Sequence, residues 1–275
     1  MSAYRFCRTD DIALLVDAWN RCCLPHDPVG APLTIAKLKQ EIRELDLWCS
    51  SCMVGFEGDV PVAVAIGCKR PPDTLVRGLG VHPNHLRKGH GRHLLTSLSS
   101  KLAILGPPRL LAEIPVGSPS ARALFEACGW THDRTYTDFV LAGDDVAASP
   151  HYGAFTEVTM EDLPEALPAP GSEPAWECSL ATIEKRREHL RGLALFSSQR
   201  TEAGVLYTPE GDYRSIWASY APPGSTGEAS LVALVRELER REAARSVIRG
   251  LQQPTLAGFR AIRDVLRFTT TARPA

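Results

Sequence analysis

The residues with the most to do chemically run from Gly80 to Leu95, GVHPNHLRKGHGRHLL. An apolar strand ends at Val81, a bend containing Pro83 follows, and Gly89 and Gly91 stand at the start of an amphipathic helix. Glycines there let the backbone turn tightly and let a ligand come close to main-chain N–H groups. Those amides, with the helix N-terminus, form an anion cradle. Arg87, Lys88 and Arg92 add positive charge around it. The occupant this predicts is a pyrophosphate. No Gly-Lys-Ser/Thr follows, so it is not a nucleoside triphosphate loop. The strand before it follows a hairpin and opens no βαβ unit, so it is not a dinucleotide fingerprint either.

Regular elements must hold that loop. In the first half the pattern predicts a strand at Tyr4–Arg8, then a helix over Ile12–Trp19 capped by Thr9 and the Asp10, Asp11 pair. A Pro/Gly-rich loop from Leu24 leads to a second helix that Thr34 can cap. Ser51–Phe56 and Val60–Cys68 read as a hairpin around Gly58, and Thr74–Val81 as the strand before the loop. His90–Leu105 is a helix, Arg109–Pro115 a strand, Pro119–Ala127 a helix and Thr135–Leu141 a strand. Leu141 to Phe155 loses all apolar period and reads as a linker with its boundary near Pro150.

The second half repeats the order more weakly, with strands at Phe155–Val158, Leu193–Ser197, Gly204–Tyr207, Tyr213–Tyr220 and Ser246–Gly250. Helices are expected at Ala181–Leu190, Glu228–Ala244 and Leu256–Leu266, before a closing strand at Phe268–Thr271. Two such strings suggest an internal duplication. The expected division is 1–145, a linker at 146–154, and 155–275.

Composition narrows the classes. The 275 residues carry 31 Lys+Arg against 32 Asp+Glu, a formal charge of −1, so the broad basic excess of a duplex nucleic-acid binder is missing. No apolar run reaches the ~18 residues of a membrane span, and the N-terminus has no signal-peptide pattern. A cytoplasmic location is expected. The 8 cysteines have no framework spacing and read as free thiols. Cys49 and Cys52 form one C-x-x-C without a second, and the histidines at 82, 85, 90 and 93 sit among cations, so no metal is expected.

The strand, V-H-P bend and basic G-x-G helix start resemble the acetyl-coenzyme A loop of the GNAT N-acetyltransferase superfamily. Residues 118–130, SPSARALFEACGW, are similar to that superfamily's later helix, N-x-x-A-x-x-L-Y-x-x-x-G-F. In the second half Gly224–Ala229 keeps only the shape of the loop, without a basic residue and with Glu228. The whole string resembles tandem two-domain members, of which mycothiol synthase is the best-known type. The resemblance implies an α/β chain of two tandem GNAT-like domains, each a mixed central sheet flanked by helices, the second degenerate. It also implies acetyl-CoA as cosubstrate, held by Val81, Arg87, Lys88, Gly89, His90, Gly91, Arg92 and Ser118. The acceptor would be a primary amine of a small molecule or peptide, attacking the thioester directly in a ternary complex.

Four departures bear on the chemistry. Leu86 stands where the family has Gln or Arg, and Ser118 where it often has Asn, a serine that can still cap the helix. Phe125 stands where many members have the Tyr that protonates the departing thiolate. Tyr136 and Cys128 are the available stand-ins. The strand 74–81 carries no carboxylate, which leaves Glu113 on the next strand as the candidate base, facing either the cleft or solvent. An oxyanion would be held by main-chain N–H groups near Val81. The competing reading is a non-catalytic acyl-CoA-binding or regulatory module.

Overall fold

The computed structural model describes residues 2–27, 30–143, 153–198 and 200–274. They form two compact units that do not follow chain order. Unit 1 is Met1–Arg134 with Leu266–Ala275, and unit 2 is Thr135–Val265. Strands cross the expected division at 145, residues 135–143 packing in unit 2 and residues 266–274 in unit 1. Pro150 and the other residues of 144–152, which hold most of the expected linker, lie outside the described residues.

Unit 1 runs β1 (Ser2–Phe6), α1 (Ile12–Cys22), α2 (Ile35–Glu44), β2 (Met53–Glu57), β3 (Val60–Arg70), β4 (Asp73–Val81), α3 (His90–Leu105), β5 (Arg109–Pro115), α4 (Pro119–Ala127) and the start of β6 (Thr131–Leu141). Strands β1 to β5 lie side by side in that order, antiparallel up to β4, and β4 pairs with β5 in parallel. The neighbour of β5 on its other side is β12 (Phe259–Thr271), the last strand of the chain. Thr34 caps α2 as expected, its hydroxyl accepting the Lys37 N–H at 3.1 Å. Thr9 and Asp10 do not cap α1. Asp11 holds the N-cap position without a capping bond, and its carboxylate instead takes the Arg8 N–H at 2.7 Å and the Arg5 guanidinium at 2.6 Å.

Helices cover both faces of this sheet. Leu95, Leu98 and Leu102 of α3 pack with Val76, Leu110, Ala112 and Ile114, and with Phe125 of α4. On the opposite face α1 lies so close to β4 that a Cβ on Gly78 would fall 2.3 Å from the Trp19 ring. The returning C-terminal residues complete the α3/α4 side. Phe268 is buried against Phe125, at 6.3 Å between ring centroids, and the Ala272 N–H donates to the Pro108 carbonyl at 2.7 Å.

Unit 2 continues β6 and adds β7 (Ala154–Val158), α5 (Leu180–Lys185), β8 (Arg191–Ser197), β9 (Arg200–Glu210), β10 (Tyr213–Tyr220), α6 (Ser225–Glu242), β11 (Arg245–Leu251) and the first part of β12. Its strand order is β12-β6-β11-β10-β9-β8-β7. One predicted element is wrong. Leu256–Leu266 was expected as a helix, and from Phe259 onward it is strand. Phe259, Ile262, Val265 and Leu266 have helical spacing, yet polar side chains among them find their partners on β6. Arg263 pairs with buried Asp138 and Asp264 accepts from Thr137 at 2.7 Å. The duplication is therefore incomplete, since no helix separates β11 from β12.

Candidate active site

The sheet of unit 1 opens beside the loop. The parallel β4–β5 ladder runs from Asp73–Arg109 to Val76–Ala112 and ends there. At the same level the β3–β4 register shifts, Ile66 facing Gly78 and Gly67 facing Val76, which leaves Arg77 as the extra residue of a bulge. Arg77 reaches Glu41 of α2 at 3.5 Å. Past this bulge β4 keeps β3 as its neighbour and parts from β5.

Val81 ends β4 opposite Ala63. The His82 N–H donates to the Val62 carbonyl at 2.9 Å, which makes Val81–Ala63 a pair without mutual hydrogen bonds. In such a pair the main-chain polar groups of each residue turn away from the partner strand. The Val81 N–H thus points to the side where the β5 ladder has ended. On that side the Val81 carbonyl accepts from His26 Nε2 at 2.8 Å. His26, in the turn after α1, has no motif in the sequence that marks it.

From Val81 the chain takes one 3₁₀ turn over Pro83–His85, in which His82 Nδ1 accepts the Asn84 N–H at 3.3 Å. Arg87 follows at φ 62° and Gly89 at φ 87°, and Gly89 is the N-cap of α3. Two left-handed residues in so short a stretch turn successive amides inward ahead of the helix. A Cβ on Gly89 would meet nothing within 4 Å, so glycine is needed there for its backbone angle. Arg87, Lys88 and Arg92 are exposed. The structure thus brings Val81, the three cations and the N-terminus of α3 to one end of β4.

Other predicted residues have different roles. His90 is buried, and its Nδ1 lies 2.7 Å from the Tyr4 hydroxyl. Burial pushes its pKa down, with His85 and Lys88 adding to the effect, which favours the neutral ring that ties α3 to Tyr4. Gly91 is buried too, and a Cβ there would fall 2.8 Å from Leu124 Cδ2 of α4. Its smallness serves helix packing. Ser118 is the N-cap residue of α4, but its side chain makes no capping hydrogen bond, contrary to the cap expected of it.

Glu113 can be placed by strand alternation. Leu110, Ala112 and Ile114 pack toward α3 and α4, so Glu113 lies on the other face of β5, the face that carries α1. Phe125 is 4% exposed with its ring edge-on to Trp130 at 4.9 Å. Tyr136 belongs to the core of unit 2, fully buried, with its hydroxyl donating to the Glu173 carbonyl at 2.9 Å. A buried, committed hydroxyl is a poor proton donor. Cys128 is half-buried, and burial raises its pKa. Burial also lifts Cys7 to about 12 and Cys22 to about 11. None of the eight cysteines is in a disulfide.

Unit 2 has the same frame with its opening filled. Its parallel β10–β11 ladder ends at Ile216–Ile248. Beyond it the Gly250 N–H donates to Asp138 Oδ1 at 2.9 Å, and Arg249 meets the same carboxylate at 3.1 Å. At the start of α6 a Cβ on Gly227 would fall 1.8 Å from the Pro222 carbonyl oxygen. A main-chain oxygen and Glu228, in the first turn, hold the helix end where an anion would approach.

Comparison with known proteins agrees with this geometry. Residues 15–130 match the acetyltransferase (GNAT) family. No curated protein matches the sequence significantly. Among solved structures, a tandem GNAT protein from the clavulanic acid biosynthesis pathway superposes with a TM-score of 0.68 at 15% identity, over 100% of both chains. A GCN5-related N-acetyltransferase from Sphaerobacter thermophilus gives 0.66 at 17% identity, over 100% of this chain and 96% of the other. A putative acetyltransferase from Pyrococcus horikoshii gives 0.63 at 12%, over 99% and 90%. Such identities show the fold alone, and they show it for the whole chain. The family match supports acyl transfer from an acyl-CoA. Residues 15–130, which carry the loop, the parted strands and α4, match the acetyltransferase (GNAT) family, in a chain that has the tandem GNAT fold throughout.

Proposed function

We propose that unit 1 transfers an acetyl group from acetyl-CoA to a primary amine of a small molecule or peptide, and that unit 2 is a degenerate copy that binds no coenzyme. One observation carries this reading. The end of the β4–β5 ladder and the cation-ringed N-terminus of α3 lie at the same end of β4. A pyrophosphate at the helix end would send the thioester arm toward the gap between the strands.

In the proposed step the amine nitrogen attacks the thioester carbonyl carbon and forms a C–N bond. The carbonyl oxygen becomes an oxyanion, for which the Val81 N–H is the candidate donor. The C–S bond then breaks and the thiolate leaves. Glu113, on the face opposite α3, is the candidate base for the amine proton. A thiol of pKa about 8.5 makes a tolerable anionic leaving group, so the reaction proceeds without a tyrosine at 125, more slowly by the roughly 10²–10⁴ that a general acid contributes.

The burial of Phe125 and Tyr136 favours a second reading, a module that binds acyl-CoA without turning it over. Thiol release from acetyl-CoA across a panel of primary amines separates the two. Amine-dependent release supports the enzyme. Tight binding with no release for any amine supports the module.

A further inference from the structure

The end of α1 comes down directly on β4. A Cβ on Gly80 would fall 2.3 Å from Cys23 Sγ and 2.9 Å from the Cys22 carbonyl oxygen, just as one on Gly78 would meet Trp19. Two positions without side chains on one strand let the helix approach so closely. The chain leaves α1 through a 3₁₀ turn, Leu24–His26, with Pro25 inside it and the Asp27 N–H donating to the Leu24 carbonyl at 3.0 Å. That turn sets the exposed His26 ring on the Val81 carbonyl, with Nε2 at 2.8 Å.

A carbonyl oxygen only accepts, so Nε2 carries the proton and in the neutral ring Nδ1 holds the lone pair. The N–H and C=O of one strand residue point to the same side. The Val81 N–H assigned to the oxyanion and the carbonyl under His26 therefore open on the same gap. His26 reaches that gap from the α1 face of the sheet, the face that also carries Glu113. Burial holds the thiol of Cys23, just before the turn, well above its ordinary pKa, so it stays protonated and takes no part.

Acetyl transfer to an amine has two protons to place. A primary alkylamine as basic as lysine, pKa about 10.4, arrives as an ammonium ion. It must lose one proton before its nitrogen can attack and a second once the C–N bond has formed. Glu113 accounts for one of the two.

We infer that His26 is a further catalytic residue, whose Nδ1 takes the first proton from the incoming ammonium. The substrate's N–H bond breaks, the Nδ1–H bond forms, and the exposed imidazolium passes the proton to water. The free amine keeps its lone pair for the thioester carbon, and Glu113 takes the proton released after attack. The inference rests on the acetyl-transfer reading of unit 1.

Thiol release by the full chain and by His26→Gln tests it, with a strongly basic primary alkylamine and with a weakly basic primary amine already neutral at the assay pH. A glutamine N–H can still donate to the Val81 carbonyl, but the side chain is no base. Turnover of the basic amine should fall about 10²–10⁴-fold, while the weakly basic amine reacts as with the natural chain and acetyl-CoA affinity and melting temperature hold. In His26→Ala, added imidazole should restore turnover of the basic amine. No loss for either amine, or equal losses that imidazole does not reverse, would overturn the role of His26 and leave acetyl transfer standing. No amine-dependent release from the natural chain would overturn both.

Discussion

Gly91 of α3 and Leu124 of α4 touch so closely that a single added methyl group on the glycine would lie 2.8 Å from the leucine Cδ2. Gly89, two residues earlier, has open space around it and a backbone angle that only glycine adopts easily. Two glycines of one motif thus answer to different physics. Gly91→Val should cost about 1–3 kcal/mol through overpacking, and Leu124→Ala in the same chain should recover part of that loss. Gly89→Val should cost roughly 1–2 kcal/mol through its left-handed backbone, with no recovery from Leu124→Ala. Denaturant unfolding of Gly91→Val, Gly89→Val, Leu124→Ala and the two double variants checks this, and additive Gly91 and Leu124 effects would contradict the packing role.

Phe125 lies in the core with Trp130 and Phe268. Phe125→Tyr would put a hydroxyl where the surroundings are aromatic rings, at a cost of about 1–3 kcal/mol if it stays unpaired. A lower melting temperature without faster thiol release is the expected pair of results. A rise in turnover would mean that the ring edge reaches the coenzyme sulfur after all.

The two candidate catalytic side chains should separate cleanly. Glu113→Gln removes the proposed base and should lower amine-dependent turnover by about 10²–10⁴, with coenzyme affinity unchanged. Tyr136→Phe loses the hydrogen bond to the Glu173 carbonyl, worth about 0.5–1.5 kcal/mol of stability, and should leave turnover alone. Steady-state rates beside melting temperatures decide it. Equal losses of rate in both variants would put Tyr136 back in the reaction.

Phe268, near the end of the chain, is 1% exposed and packs on α4 of unit 1. Phe268→Ala should cost about 3–5 kcal/mol and loosen α4 before it loosens the helix of unit 2. Hydrogen exchange followed by mass spectrometry would show faster exchange over residues 119–127. Faster exchange confined to unit 2 would contradict the strand exchange.

Much of this was legible in the sequence because the signals were local. The bounds of α3, β5 and α4 match the expected ones, since glycine, proline and a helical apolar period mark them within a few residues. Thr34 could be recognised as a cap for the same reason. What escaped notice depends on partners far along the chain. His26 engages a carbonyl on β4, and no local pattern announces it. Phe259–Leu266 has helical spacing but becomes strand because Thr137 and Asp138 of β6 supply partners for Asp264 and Arg263. The reason for Gly91 was misread in the same way, as ligand approach where the neighbour is Leu124. Glu113 could be given a face only once its neighbours on β5 were seen to pack toward α3.

The central claim is that unit 1 alone holds the coenzyme. In unit 2, Asp138 takes the Gly250 N–H, and the Pro222 carbonyl crowds Gly227 at the start of α6. Calorimetric titration with acetyl-CoA measures this directly. The account predicts saturation at one equivalent per chain, with binding weakened at least tenfold when Arg87 and Lys88 are both replaced by Glu. Saturation at two equivalents, or undiminished affinity in that double variant, would contradict it.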